Sequence, residues 1–174
     1  MTIAFETVNE FPVGLDRLWA VFGQPDYPVA KFRAMGARDV RLRQFKVTTR
    51  SIRVDLERDV PVVKSRFPTW ARPLLADEQT ARHQSVWTRA AKPRRIDAVL
   101  HIEPLGLPVR ATGSGSIIEA AASRSVMRLS WQVESTMPMR LLQTRIERLF
   151  ADQILLSADE DQAFTSKYLK RANR

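Results

Sequence analysis

Hydrophobic residues recur along this chain with two different spacings, and the order of those spacings is its strongest signal. From Thr2 to Phe11 the residues alternate, Ile3, Phe5, Thr7 and Phe11 against Glu6, Val8 and Glu10, which is the period of a β-strand. Pro12 ends that strand. Leu15, Leu18, Trp19 and Phe22 then fall at i, i+3, i+4 and i+7, the spacing of an amphipathic helix, and Gly23 stands where a helix terminates well. A second short helix is predicted from Pro28 to Met35, with Asp26 as its cap and Gly36 as its stop. Two helices this short, joined by Gln24 and Pro25, form a V closing one end of a sheet.

After Gly36 the period returns to two. Val40 and Leu42 share a face with Phe45 and Val47 only if one residue is extra near Arg43 or Gln44, so a β-bulge is predicted there. Beyond a turn at Thr49 and Arg50, Ile52, Val54, Leu56, Val60 and Val62 keep one phase while Arg53, Asp55, Glu57 and Asp59 keep the other. The basic outer face of the preceding strand can pair with this acidic one, for roughly 0.2–1 kcal/mol per cross-strand pair. Pro68 to Leu75 breaks the alternation and reads as a loop with a short helical turn carrying Trp70, Leu74 and Leu75. Strand period resumes with Ala81, His83, Ser85 and Trp87, then Ile96, Ala98, Leu100 and Ile102. It continues through Val109, Ala111, Gly113, Gly115 and Ile117 to Met127, Leu129, Trp131 and Val133, with turns at Gly106-Leu107-Pro108 and Ala121-Ala122-Ser123.

A closing amphipathic helix is predicted from about Met139 to Lys170, introduced by Thr136 and Pro138. Its apolar stripe is Leu142, Ile146, Leu149, Phe150, Gln153, Ile154 and Phe164. Ser157 followed by Glu160 has the form of a capping box, which leaves open whether the helix continues past that point. The whole order, one strand, two short helices, a strand meander from about Ala37 to Ser135 and a long helix, predicts an α+β fold. In it a curved antiparallel sheet grips the last helix over a cavity.

Composition narrows the classes. A chain of 174 residues, 44% hydrophobic and 27% charged, suits one soluble globular domain. No segment reaches the ~18 consecutive apolar residues of a membrane helix. Met1 to Phe11, with Glu6 and Glu10, lacks the basic-then-apolar order of a secretory signal, so a cytoplasmic location is expected. The absence of cysteine removes disulfides, thiolate metal sites and cysteine nucleophiles. A net charge of +9 invites phosphate-bearing partners. The arginines are spread through every element, however, and only Lys92-Pro93-Arg94-Arg95 forms a cluster, in a hairpin turn, so no nucleic-acid partner is expected.

Several local motifs together carry a resemblance. They are Phe11-Pro12, Pro25-Asp26-Tyr27-Pro28, Met35-Gly36-Ala37-Arg38-Asp39-Val40, Arg58-Asp59-Val60-Pro61, Pro68-Thr69-Trp70-Ala71, Trp87 and Gly106-Leu107-Pro108-Val109. In that order and spacing the chain resembles the START-like superfamily, also called SRPBCC or Bet v 1-like, and within it an uncharacterised bacterial domain family of unknown function. The resemblance implies a helix-grip fold with a hydrophobic cavity. It departs from the pattern at Met137-Pro138-Met139-Arg140, where a glycine-rich turn is expected. Lipid carriers, hormone receptors and polyketide cyclases share this fold, so it does not fix an activity.

The residues expected to line the cavity are Arg58, His83, Trp87, Leu100, Gly113, Leu129, Trp131, Ile146 and Phe150. Arg58 occupies the inward phase of a strand otherwise built from Ile52, Val54, Leu56 and Val60, and a buried guanidinium needs a partner. A ligand carboxylate or phosphate, a protein carboxylate, or a bulge turning the side chain outward would each satisfy it. His83, in phase with Trp87, is either a core histidine with its own partner or a group that meets a ligand or moves a proton. His101 has the opposite phase, so the two histidines share no metal, and no ligand spacing for one occurs. Gly113 and Gly115 admit close approach of the last helix or make volume for a ligand.

The expected function is binding or carriage of a hydrophobic or amphipathic molecule, lipid-like or polyketide-like, without cofactor. Two alternatives remain at this point. One is a cyclase or dehydratase using His83, and the other is a basic module that contacts anionic membrane.

Overall fold

A computed structural model describes residues 2–171. The chain runs β1 (Ile3–Phe11), α1 (Leu15–Phe22), α2 (Asp26–Ala34), β2 (Asp39–Val47), β3 (Ser51–Pro61), β4 (Glu78–Ala91), β5 (Arg94–Pro104), β6 (Val109–Ala121), β7 (Arg124–Ser135) and α3 (Arg140–Arg171). The strands make one antiparallel sheet in the order β1-β7-β6-β5-β4-β3-β2, so the first strand closes the meander from its far edge. Two single-turn 3-10 helices, Lys64–Arg66 and Arg72–Leu74, occupy the β3–β4 loop where the alternation breaks. This is the α+β helix-grip arrangement expected from the order of spacings.

The bulge falls where the pattern requires it. Leu42 pairs with Leu56 and Gln44 with Asp55, which leaves Arg43 as the extra residue. On the outer face Arg41 reaches Asp59 at 2.9 Å and Arg43 reaches Glu57 at 2.8 Å, so the basic and acidic strands pair as expected. The β4–β5 and β6–β7 turns lie at Lys92-Pro93 and Ala122-Ser123.

Helix ends differ from the sequence reading. Asp26 is the first residue of α2 rather than its cap, and Pro25 precedes it without a side-chain capping bond. Thr136 and Pro138 lie ahead of the last helix, which begins at Arg140. Past Ser157 that helix is unbroken for 32 residues in all, about 48 Å at ~1.5 Å per residue.

Helix α3 packs on β1, β7 and β6, while α2 packs on β2 and touches α3. Seven strands at ~4.8 Å spacing make a sheet roughly 29 Å wide, and one helix is only ~10 Å across. The long helix therefore leaves part of the inner face to the short helices, whose Phe22 and Phe32 meet Trp87 and His83, and free space remains between the two sets.

Polar side chains fix α3 at this offset. Asn9, buried on β1, donates to the Ala158 carbonyl at 2.9 Å and to Gln162 at 3.2 Å. Tyr27 on α2 shares a buried 2.7 Å hydrogen bond with Thr165, and Lys31 reaches Asp161 at 2.9 Å. Near the start of the helix, the fully buried Glu147 accepts from the Ser135 backbone N–H at 3.0 Å.

Gly115 is required by close backbone approach, although the neighbour is not the last helix. A Cβ there would meet the backbone carbonyl of Arg128 on β7. Replacing a strand glycine by alanine ordinarily stabilises by about 0.5–1 kcal/mol. Gly115→Ala is expected to do the reverse and cost about 1–3 kcal/mol, because the strand pair must shift. A denaturant titration checks the sign, and an unchanged or raised midpoint would contradict the close approach.

Candidate functional site

A cavity of about 120 Å³ lies between the inner face of the sheet, α2 and the middle of α3. A second space of about 40 Å³ adjoins it across Phe32, His83, Trp87 and Met127. The walls divide by chemistry. Leu100 and Ile102 of β5, Leu129 and Trp131 of β7, and Phe150 and Ile154 of α3 form an apolar part. Arg58 of β3, His83 of β4 and Lys31 of α2, with Gln153, Ser157 and Asp161 of α3, contribute the polar groups.

Trp131 sets the shape of the apolar part. Its Nε1–H donates to Thr7 Oγ1 at 3.0 Å, which satisfies the one polar atom of a buried indole. The ring stacks near Phe5, with centroids 6.4 Å apart and planes at 13°. It also covers Gly113, its partner across the strands, where a Cβ would stand 2.8 Å from the six-membered ring. The space freed by Gly113 is thus filled by tryptophan, not by ligand or helix. Trp87 is held in a similar way, with Nε1 donating to Ser85 Oγ at 3.1 Å and its ring 5.0 Å from Phe22.

At the polar end most groups already have partners. Lys31 is bound to Asp161, and Asp161 accepts a second bond, 2.9 Å, from Thr165. Burial, first, and then the nearby Asp161 charge push the Tyr27 hydroxyl well above its ordinary range, so it stays protonated and linked to Thr165. Two groups stand apart. Arg58 places its guanidinium carbon 4.4 Å from the Phe32 ring centroid, and its buried Nε has no hydrogen-bond partner among the described residues. His83 packs edge-on to Phe32, ring centroids 5.1 Å apart, and its buried Nδ1 is likewise unpartnered.

Their charge states follow from their surroundings. Burial pushes Arg58 down to about 10 against the upward pull of Asp161 and Glu160, which leaves it cationic at neutral pH. His83 is held well below its ordinary range by burial, then by the positive charges of Lys31 and Arg58, with a weaker opposing pull from Asp55. It is neutral at pH 7. Arg58 therefore leaves one positive charge at the cavity without a close protein counter-ion among the described residues.

Of the side chains singled out from sequence, Arg58, His83, Trp87, Leu100, Leu129, Trp131 and Phe150 come together around this cavity. Gly113 and Ile146 do not line it. Ile146 is buried beside Glu147, nearer the start of α3, and packs in the core. His101 is exposed and 3.3 Å from Thr112, on the outer face where its phase puts it. Asn9, Lys31 and Asp161 are cavity residues that sequence reasoning missed. Asn9 could have been found, because it sits in phase with Thr7 and Phe11.

A family model described as "Protein of unknown function (DUF2505)" matches residues 6–169. No curated protein matches the sequence. Among solved structures, the Zhui aromatase/cyclase from Streptomyces sp. R1128 aligns with TM-score 0.63 and 13% identity, over 100% of this chain and 97% of its own. TTHA0849 from Thermus thermophilus aligns with TM-score 0.59 and 6% identity, over 99% and 100%. Norcoclaurine synthase from Thalictrum flavum, in complex with dopamine and hydroxybenzaldehyde, aligns with TM-score 0.57 and 14% identity, over 96% and 88%. The fold is thus that of the Bet v 1-like proteins, and at these identities the likeness shows the fold alone.

Because His83 is neutral when folded, it makes acid destabilising. Once pH falls below about 6.5, the unfolded chain takes up a proton that the buried imidazole refuses, so the unfolded state gains. Stability attributable to His83 is complete above that pH and declines below it. Denaturant unfolding at pH 7.5 and pH 5 is expected to show a smaller acid loss in His83→Gln than in the wild type. Equal losses would contradict a neutral buried imidazole.

Proposed function

The chain belongs to the DUF2505 family of proteins of unknown function, so its role rests on its own cavity, and we propose that it binds a small amphipathic organic molecule between the sheet and α3. One observation carries this reading. The cavity is apolar on one side and on the other carries the half-buried Arg58 and the buried His83, each with a buried nitrogen that has no hydrogen-bond partner among the described residues. A folded chain normally satisfies its buried polar groups internally, and each one left over costs about 1–3 kcal/mol. A bound molecule that supplies the missing partners removes that cost.

Size narrows the guest. Usual ligand pockets hold roughly 300–1,000 Å³, whereas a dry cavity of about 150 Å³ accepts benzene. At about 120 Å³ this cavity suits a single ring or a short chain, rather than the lipid-like or polyketide-like body suggested by the wider superfamily. The complex of norcoclaurine synthase with dopamine and hydroxybenzaldehyde supports a single-ring guest in this fold. A buried aromatic ring removes about 150–250 Å² from water. At ~25 cal/mol per Å² that is roughly 4–6 kcal/mol before the costs of association, so an apolar ring alone binds no better than roughly millimolar.

Binding without chemistry is favoured over catalysis by the state of His83. Among the described residues nothing hydrogen-bonds its Nδ1 to fix a tautomer, as the aspartate of a Ser-His-Asp triad does, and the depressed proton affinity of the ring makes it a poor general base.

Benzyl alcohol titrated into ¹⁵N-labelled protein is expected to shift the Trp87 and Trp131 indole resonances saturably, with an affinity of roughly millimolar. Leu100→Phe, which fills the space, should reduce the shift while leaving the protein folded. Linear, unsaturable shifts in the wild type, or identical shifts in the filled variant, would refute binding inside the fold.

A further inference from the structure

We propose that the guest is a small organic monoanion, a carboxylate on a single-ring or short-chain body, with its acid group on the Arg58 guanidinium and its body against Leu100, Leu129, Trp131 and Phe150. The inference rests on the cavity reading above and adds the charge of the molecule. It follows from the ionic groups around the cavity. Lys31 is neutralised by Asp161 at 2.9 Å, and that carboxylate is further occupied by Thr165. Asp55, the nearest carboxylate on the strand beside His83, is bound by Arg82 at 2.6 Å and Gln84 at 2.9 Å. Glu160 and Asp161 act on Arg58 only through space.

One positive charge is thus left over at the polar end. A neutral guest would leave the half-buried guanidinium without a counter-charge, and a dianion would introduce an excess negative charge there. A monoanion closes the balance. The guanidinium is held over Phe32, which lines the same cavity and shields one side of the planar group by cation–π contact. Its edge remains for in-plane hydrogen bonds, and a fork of parallel N–H groups matches the two oxygens of a carboxylate. His83 lies beside it, faces the same cavity, and as a neutral ring can give or accept one further hydrogen bond. The apolar part begins on the next strand, at Ile102, the cross-strand partner of His83. Acid group and hydrocarbon body therefore have separate walls.

The test compares matched probes on the full chain by the same indole resonances: benzoate against benzyl alcohol, and hexanoate against hexanol. In the wild type each acid is expected to bind about tenfold or more tightly than its alcohol, the scale of one charge-assisted contact. Arg58→Gln should abolish that preference by weakening the acids much more than the alcohols, and Arg58→Lys should retain part of it. If the alcohols bind and the acids bind no better, or if Arg58→Gln keeps the preference, the monoanion inference fails and the cavity reading survives. If no probe binds the wild type, both fail. The wild-type comparison needs no variant to fold.

Discussion

The structure depends on a mismatch of widths. A seven-stranded sheet curves enough to present a concave inner face, yet that face is far broader than the single helix laid on it. Burying the apolar stripe of α3 against β1, β7 and β6 uses up the helix, and α2 packs mainly on β2 at the opposite edge, sending Phe32 over Arg58 and His83. What remains between them is lined by the inward residues of the central strands. Close packing would demand larger side chains from those strands or a second long helix, and the sequence supplies neither. The cavity is a consequence of the topology, tuned in volume by Trp131 lying over Gly113.

Holding the helix off centre requires directional contacts, because apolar packing alone would let it slide toward the middle of the sheet. Asn9, the Tyr27–Thr165 pair and the Lys31–Asp161 pair tie the second half of α3, while Glu147 ties the first half to the end of β7. Each of these side chains makes at least one hydrogen bond or ion pair within the protein, Glu147 through one of its two carboxylate oxygens, and so does structural duty. Arg58 and His83 are the contrast. Both residues line the cavity, and one buried nitrogen of each has no hydrogen-bond partner among the described residues.

Much of the fold was legible because a strand with one buried face writes itself as alternation. The bulge at Arg43, the hairpin at Lys92-Pro93 and the pairing of Arg41 and Arg43 with acidic neighbours all follow from phase alone. The same phase brought Arg58, His83, Trp87, Leu100, Leu129 and Trp131 to one side of the sheet. Helix α3 was harder, since Glu147 and Thr165 are buried polar residues within its stripe, and nothing local distinguishes them from solvated ones. Gly113 was misjudged because its space is taken by a rotamer of Trp131 on another strand. Ile146 was misplaced because a helical stripe of this length spans both solid core and cavity. Asp26 failed as a cap because α2 already begins there, ahead of the Pro28 that suggested a later start.

The central claim is that accessible volume exists between the central strands and α3 in the folded protein. Xenon, which enters dry apolar cavities and makes no demand on polar groups, addresses that claim directly. A crystal equilibrated under xenon pressure is predicted to show an atom enclosed by Leu100, Leu129, Trp131 and Phe150. Xenon found only at surface sites, with side chains meeting across that interior, would contradict the account.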